Sequence, residues 1–96
     1  MAAYMIAVVD VHDAAGFDAY REVAGPTTAT YNAKILAAFG KVVHLEGDWQ
    51  PKNLVLLEFE TLEQAERWYH SAEYGKAIPL RQQSTTSSLA IAEGLQ

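Results

Sequence analysis

The chain has 96 residues, half of them apolar and a fifth charged, a size and composition that indicate one small globular domain. Its formal net charge is −5, with 12 acidic against 7 basic residues and no run of Lys or Arg, which argues against a nucleic-acid-binding surface. The sequence has no cysteine, which excludes disulfides and a cysteine nucleophile, and no apolar segment approaches the ~18 residues of a membrane span. We therefore expect a cytoplasmic protein that binds neither nucleic acid nor membrane.

The first predicted element is a β-strand over residues 4–11, which read YMIAVVDV. The stretch is rich in β-branched residues and no basic residue precedes it, features typical of a strand rather than of a signal peptide. Successive side chains of a strand point to opposite faces. One face is wholly apolar, with Met5, Ala7, Val9 and Val11, and the other is mixed, with Tyr4, Ile6, Val8 and Asp10.

The hydrophobic period then changes to that of a helix, with apolar and aromatic side chains three and four residues apart. Asp13 is suited to cap the helix N-terminus. Gly25 and Pro26 interrupt the pattern, because proline lacks an amide donor and disfavours a helical residue before it. We therefore expect a kinked helix or two helical pieces. The predicted helical face comprises Phe17, Tyr20, Ala24, Thr28 and Tyr31.

Two further strands are predicted in the middle of the chain. Residues 34–49 form an extended stretch, within which Gly40 predicts a bulge or a sharp bend. The sequence GDWQPKN has the composition of a turn, so we expect a tight connection to the third strand. That strand, residues 54–60, places Leu54, Leu56, Glu58 and Glu60 on one face and Val55, Leu57 and Phe59 on the other.

A second helix is predicted after Thr61, which forms a T-x-x-Q capping box with Gln64. Ser71 is suited to cap a further short helical segment, which Pro79 interrupts. A fourth strand is predicted within residues 87–95. The expected buried stripe of the second helix comprises Leu62, Ala65, Trp68 and Tyr69.

The predicted order β-α-β-β-α-β is that of the ferredoxin-like α+β fold. Right-handed crossovers place both helices on one face of a four-stranded antiparallel sheet, which leaves the other face bare. This bare face would be too apolar to leave in water, which favours a C2 homodimer whose two sheets pack face to face. The apolar side chains on it are Ile6, Val8, Leu54 and Leu56.

Five phrases form a set along the chain: YMIAVVDVHD, Tyr20, LEGDWQPKNLVLLEF, ERWYHSAEYGKAIPLR and a closing AEG. Together they resemble the DUF1330 family, a domain of unknown function. The resemblance implies a single domain over residues 1–96, a dimeric α+β barrel with ferredoxin-like fold, and no particular reaction. The stretch YNAKILAAFG lacks the Gly-Gly and the Arg that family members often show there. The positions that match the family pattern are Glu46, Gly47, Trp49, Pro51, Glu58, Trp68, Tyr69, Ser71, Tyr74 and Arg81.

Three residues are candidate catalytic acids or bases. Glu58 lies on the face assigned to the dimer, so its carboxylate is either paired, with Arg81 or a Tyr across the interface, or acts as a general base. His70 either caps the end of the second helix or exchanges protons in a cleft, and His44 could face the interior. The histidines have no metal-ligand spacing, and we expect neither metal nor cofactor.

The segment RWYHSAEYGKAIPLR contains one Trp, two Tyr and one His, and it begins and ends with an Arg. Arg81 either pairs with an internal acid or binds a ligand carboxylate. Two hypotheses follow: a cleft between sheet and helices that binds, or transforms without a cofactor, a small apolar or aromatic acid, and a non-catalytic dimeric accessory module without a pocket. The predicted ligand-binding residues are Tyr20, Tyr31, Trp49, Trp68, Tyr69, Tyr74 and Arg81.

Overall fold

The computed structural model describes residues 1–95 of the chain. Four strands form one antiparallel sheet in the order β2-β3-β1-β4. The predicted ferredoxin-like arrangement is thereby confirmed, with two short helices added after the second long one. The elements are β1 (Ala3–Val11), α1 (Ala14–Thr30), β2 (Lys34–Ala38), β3 (Leu54–Phe59), α2 (Leu62–Tyr69), α3 (Ala72–Gly75), α4 (Ile78–Ser84) and β4 (Thr85–Glu93).

The central strand β1 shows which face of the sheet the helices cover. Ala3, Met5, Ala7 and Val9 are buried in one core with residues of β3, α1, α2 and α3. The side chains between them, on the opposite face, are half-buried or exposed, and Ile6 is 40% exposed. Strand alternation therefore separates a packed face from a bare apolar one, as the sequence predicts.

Helix α1 begins after Asp13, whose carboxylate accepts a hydrogen bond from the amide three residues later at 3.1 Å. The helix runs unbroken through Gly25 and Pro26, so the expectation of two helical pieces is wrong. Ala24 and Thr27, on either side of that pair, are buried against the core. This packing outweighs the one amide hydrogen bond that proline cannot make.

Strand β2 is shorter than predicted and ends at Ala38, and residues 39–53 form an irregular connection instead of more strand and a tight turn. The strand ends where Phe39 takes a φ of 61°, a left-handed conformation that bulky residues rarely adopt. The ring of Phe39 stacks on that of Phe17, with centroids 5.2 Å apart. A tertiary contact therefore holds the backbone conformation that ends the strand.

Helices α2 and α3 begin at the predicted caps. The hydroxyl of Thr61 accepts a hydrogen bond from the Gln64 amide at 3.0 Å, and that of Ser71 accepts one from the Tyr74 amide at 3.1 Å. The Gln64 side chain does not complete the capping box but donates to the carbonyl of Tyr31 at 3.2 Å. It thereby ties the start of α2 to the end of α1.

Candidate functional site

A cleft of about 340 Å³ lies between α1 and the helix-facing side of β2 and β3. Its volume falls in the range of roughly 300–1,000 Å³ that is typical of small-molecule sites. Val55 and Leu57 of β3 form part of its apolar wall, and Phe17, Phe39 and Trp68 supply aromatic rings. The cleft is thus suited to a flat, largely apolar molecule.

Small side chains on α1 leave this space open. Ala24, Gly25 and Thr28 line the cleft from the helix, opposite Ile35 and Ala38 of β2. A Cβ atom built at Gly25 would meet nothing within 4 Å, so open space begins directly at the helix backbone. Larger residues on this part of α1 would pack against the sheet and close the cleft.

The inner wall of the cleft is rigid because Trp68 is fixed on several sides. The side chain is only 2% exposed, and its ring lies 4.1 Å from that of Tyr74 and 5.4 Å from that of Phe59, centroid to centroid. Its indole nitrogen donates a hydrogen bond to the hydroxyl of Thr27 at 2.9 Å. A ligand would therefore meet a preformed aromatic surface.

Behind this wall lies a buried cation. Arg81 is 5% exposed, and its Nη1 donates a hydrogen bond to the hydroxyl of Tyr74 at 2.8 Å. The two hydroxyl oxygens of Tyr74 and Tyr20 are 2.9 Å apart, and Tyr20 lines the cleft. Two tyrosine side chains therefore connect the buried guanidinium to the cleft.

Arg81 forms no ion pair with any acidic residue among residues 1–95, so the prediction that it pairs with an internal acid is wrong. Its Nε atom has no hydrogen-bond partner in the same part of the chain. Burial lowers the pKa of Arg81, but the hydroxyls of Tyr74 and Tyr69 raise it, to a net value above the usual one. Burial raises the pKa of Tyr74 above its usual range.

The seven predicted ligand-binding residues do not form one site. Tyr20 and Trp68 line the cleft, while Tyr74 and Arg81 lie buried behind it. Tyr69 is half-buried against the Trp68 ring.

Tyr31 and Trp49 lie elsewhere. Tyr31 caps the C-terminus of α1, and its hydroxyl donates to Glu73 at 3.4 Å. Trp49 is 64% exposed in the irregular connection and borders a second, smaller depression with Asp10 and Ser87. Neither residue lines the cleft.

The three candidate catalytic residues also lie away from the cleft. Glu58 is on the bare sheet face, where its Oε1 is 3.9 Å from the Lys34 amine. Its carboxylate lies opposite Tyr4 in the β1–β3 register and raises the pKa of Tyr4. The prediction of a Glu58–Arg81 pair is wrong, because Arg81 lies on the helix side. His44 is exposed, with its Nε2 2.8 Å from the Gly47 carbonyl oxygen.

His70 is exposed at the C-terminus of α2, with its ring edge-on to that of Tyr69 at 5.2 Å. This is the helix-end position that the sequence offered as the alternative to a catalytic role. Within residues 1–95, no three His, Asp or Glu side chains are grouped closely enough to hold a metal ion. No helix in the same range is long and apolar enough to cross a membrane.

Sequence reasoning missed several residues that shape the cleft. Arg21, Ile35 and Phe39 line the cleft, but none of them was predicted to do so. The predicted face of the first helix supplied Phe17, Tyr20, Ala24 and Thr28 of the lining. A small pair at Ala24 and Gly25 was a local signal for open space beside the helix. Phe39 gave no such signal, because its position depends on the distant contact with Phe17.

The sheet with helices on one face and an aromatic cleft between the two layers defines a ferredoxin-like α+β protein. The chain belongs to the DUF1330 family, described as a domain of unknown function, whose family model matches residues 2–95. No curated protein matches the sequence.

Solved structures share this fold along almost the whole chain. A protein of unknown function from Rhodopseudomonas palustris is 17% identical, with a TM-score of 0.76 over 99% of this chain and 83% of its own. SnoaB, a cofactor-independent oxygenase from Streptomyces nogalater, is 12% identical, with a TM-score of 0.65 over 99% and 94%. A dimeric protein of unknown function from Bacteroides fragilis is 11% identical, with a TM-score of 0.61 over 97% and 96%. At these identities the likeness establishes the fold alone.

Proposed function

We propose that the protein binds a small aromatic or largely apolar acid in the cleft between α1 and the sheet. The observation that carries this proposal is the cleft itself, about 340 Å³ of open space against the aromatic side of a core. Small-molecule sites are usually clefts of this size lined mainly by apolar and aromatic side chains. A space of this size beside Phe17, Phe39 and Trp68 therefore favours a planar apolar occupant.

Arg21 is the group that would bind the acid of such a ligand. It lines the cleft, and its guanidinium carbon lies 5.5 Å from the centroid of the Phe17 ring. Its present partner is Asp18 at 3.1 Å, in a pair whose two side chains are 62% and 67% exposed. Exposed pairs of this kind contribute about 0–1 kcal/mol, so a ligand carboxylate could replace Asp18 at little cost.

The geometry supports binding more strongly than catalysis. The polar side chains that line the cleft belong to Tyr20, Arg21 and Thr28, and none of them is a carboxylate or an imidazole. Cofactor-independent chemistry, such as that of the oxygenase SnoaB, would have to use the Tyr20 hydroxyl and the ligand itself. The alternative of an accessory module without a pocket gains no support from a cleft of this volume.

We also propose that the protein is a C2 homodimer formed through the bare sheet face. Ile6 and Leu36 are 40% and 50% exposed, and in the adjoining connection Leu45 is 88% exposed. A chain of this size rarely leaves so much apolar surface in water. Light scattering at micromolar concentration should give twice the chain mass for the wild type. The Ile6→Glu variant should give the mass of a single chain. A wild-type monomer at that concentration would contradict the dimer.

The binding proposal is tested with 2-naphthoate as the probe, by thermal shift and isothermal titration calorimetry. Ligand at a hundred times its Kd should stabilise the fold by about 2.7 kcal/mol. Gly25→Leu should abolish binding, because its side chain starts in open space beside the cleft, whereas Gly25→Ala is the matched control with the same backbone effect. Absence of binding by the wild type, or equal binding by Gly25→Leu, would refute a ligand in this cleft.

A further inference from the structure

A hydrogen-bonded chain links the buried guanidinium of Arg81 to the cleft through two tyrosine hydroxyls. Arg81 Nη1 donates to the Tyr74 hydroxyl at 2.8 Å, and the Tyr74 and Tyr20 hydroxyl oxygens are 2.9 Å apart. Tyr74 is fully buried, whereas Tyr20 is half-buried and lines the cleft. The chain therefore has an inner, charged end and an outer end at the candidate ligand site.

The direction of these hydrogen bonds follows from the chemistry of the three groups. A guanidinium has donors and no acceptor, so the Tyr74 oxygen must accept from Arg81. The proton of the buried Tyr74 hydroxyl then needs an acceptor, and the Tyr20 oxygen is its hydrogen-bond partner. Within residues 1–95 the Tyr20 hydroxyl has no second hydrogen bond. The proton of the Tyr20 hydroxyl therefore has no acceptor within residues 1–95, and Tyr20 lines the cleft.

The charge at the inner end strengthens the outer donor. No carboxylate in the described part of the chain pairs with Arg81, so its positive charge is neutralised by no acid there. In a low-dielectric interior each hydrogen bond of a chain polarises the next. The Tyr74 hydroxyl is a stronger hydrogen-bond donor because its oxygen accepts from a cation. The Tyr20 hydroxyl, which accepts from Tyr74, is in turn a stronger donor toward the cleft.

We propose that the Tyr20 hydroxyl is the specificity-determining donor of the cleft, and that it selects aromatic acids carrying an ionised ring hydroxyl, whose phenolate oxygen accepts its proton. Negative charge on that oxygen is stabilised by Arg81 through Tyr74. This inference rests on the proposed function, because it assumes that an aromatic ring occupies the cleft. It adds the ring oxygen that the ligand must carry, and it gives the buried arginine a role at the site.

The test compares 6-hydroxy-2-naphthoate with 2-naphthoate, two probes that differ by one hydroxyl. Wild-type protein should bind the hydroxylated probe about tenfold more tightly, as a charge-assisted hydrogen bond implies. The phenolate absorption of the bound probe should also develop at lower pH than that of the free probe. Tyr74→Phe keeps the buried ring and breaks the chain, and Tyr20→Phe removes the terminal donor. Both variants should lose the preference and the spectral shift, and Tyr74→Phe, whose side chain lies behind the cleft wall, should still bind 2-naphthoate.

Tyr4→Phe is the matched control, since it removes a tyrosine hydroxyl from the opposite face of the sheet and should keep both effects. Equal affinity of the wild type for the two probes, or an unchanged spectral shift in Tyr74→Phe, would overturn the role of Tyr20 and leave the proposed binding site standing. Failure of the wild type to bind either probe would instead overturn the binding site and this inference with it.

Discussion

Replacing Arg81 by Met should leave the protein about as stable as the wild type, although it removes a buried, hydrogen-bonded side chain. Arg81 is 5% exposed, it has no acidic partner among residues 1–95, and its Nε has no hydrogen bond there. Methionine fills a similar volume without charge. The substitution therefore leaves no opposite charge buried and unpaired, which is the usual cause of severe loss.

The magnitude follows from two opposing contributions. The substitution removes the hydrogen bond from the guanidinium to Tyr74, worth roughly 1.5–3 kcal/mol for a charged donor. It also removes a desolvation penalty of several kcal/mol for the buried ion and about 1–3 kcal/mol for the unsatisfied Nε. Tyr74 keeps its partner Tyr20. The pKa of Arg81 is nevertheless raised above its usual value, so its surroundings offset most of the burial penalty, and we expect the free energy of unfolding to change by no more than about 2 kcal/mol in either direction.

The measurement is urea unfolding followed by Trp fluorescence and far-UV circular dichroism, analysed for the free energy of unfolding and its denaturant dependence. Arg67→Met is the matched control, because Arg67 is an exposed arginine of α2 paired with Glu63 four residues earlier. That variant should lose about 0.3–0.5 kcal/mol. A loss of more than about 2 kcal/mol in Arg81→Met would refute this reasoning, because the guanidinium would then stabilise the fold by more than its burial costs.

Three further predictions concern the helices around the cleft. Thr27→Val should destabilise the fold by about 1–3 kcal/mol, because the buried Trp68 indole loses its hydrogen-bond acceptor, and thermal unfolding measures the loss. Gly25→Ala should stabilise it by about 0.5–1 kcal/mol, since the added methyl meets open space in a helix. Stability should fall as pH rises past 10, because burial raises the pKa of Tyr74 in the folded state and the unfolded chain ionises first.

Each of these predictions has a contrasting variant. Thr28→Val removes a hydroxyl that serves no indole and should cost less than Thr27→Val, and equal losses would contradict the role given to the indole bond. A destabilising Gly25→Ala would show that the space beside the helix is filled. Above pH 10 the free energy of unfolding should fall by up to about 1.4 kcal/mol per pH unit for one proton, and Tyr74→Phe should reduce this slope. An unaltered slope in the variant would show that Tyr4 and other groups cause it.

Features that depend on neighbouring residues were predicted correctly. Alternation along β1 and β3 identified the buried face, because side chains of a strand point to opposite sides whatever the chain does elsewhere. The caps at Asp13, Thr61 and Ser71 were also found, since a cap is a bond from a side chain to an amide three residues away. Such features can be predicted from the sequence because the residues that form them are close together in the chain.

The site was predicted less well, because its polar partners are far apart in sequence. Tyr20 and Tyr74 are separated by 54 positions, and only the packing of α1 against α3 and α4 brings their hydroxyls together. No pattern around Arg81 distinguishes an acidic partner from a tyrosine. The three candidate acids and bases were chosen by residue type, and the structure places them on the bare face, in the irregular connection and at a helix end.

The sequence by itself determined the order of the strands, the starts of α1, α2 and α3 and the apolar character of both sheet faces, because these follow from side-chain period and local hydrogen bonds. Tertiary structure alone decided where β2 ends, how wide the space beside α1 is and which group faces Arg81. These depend on contacts such as Phe17 with Phe39 and Tyr20 with Tyr74. Such contacts form only after the elements have packed, so no local pattern encodes them.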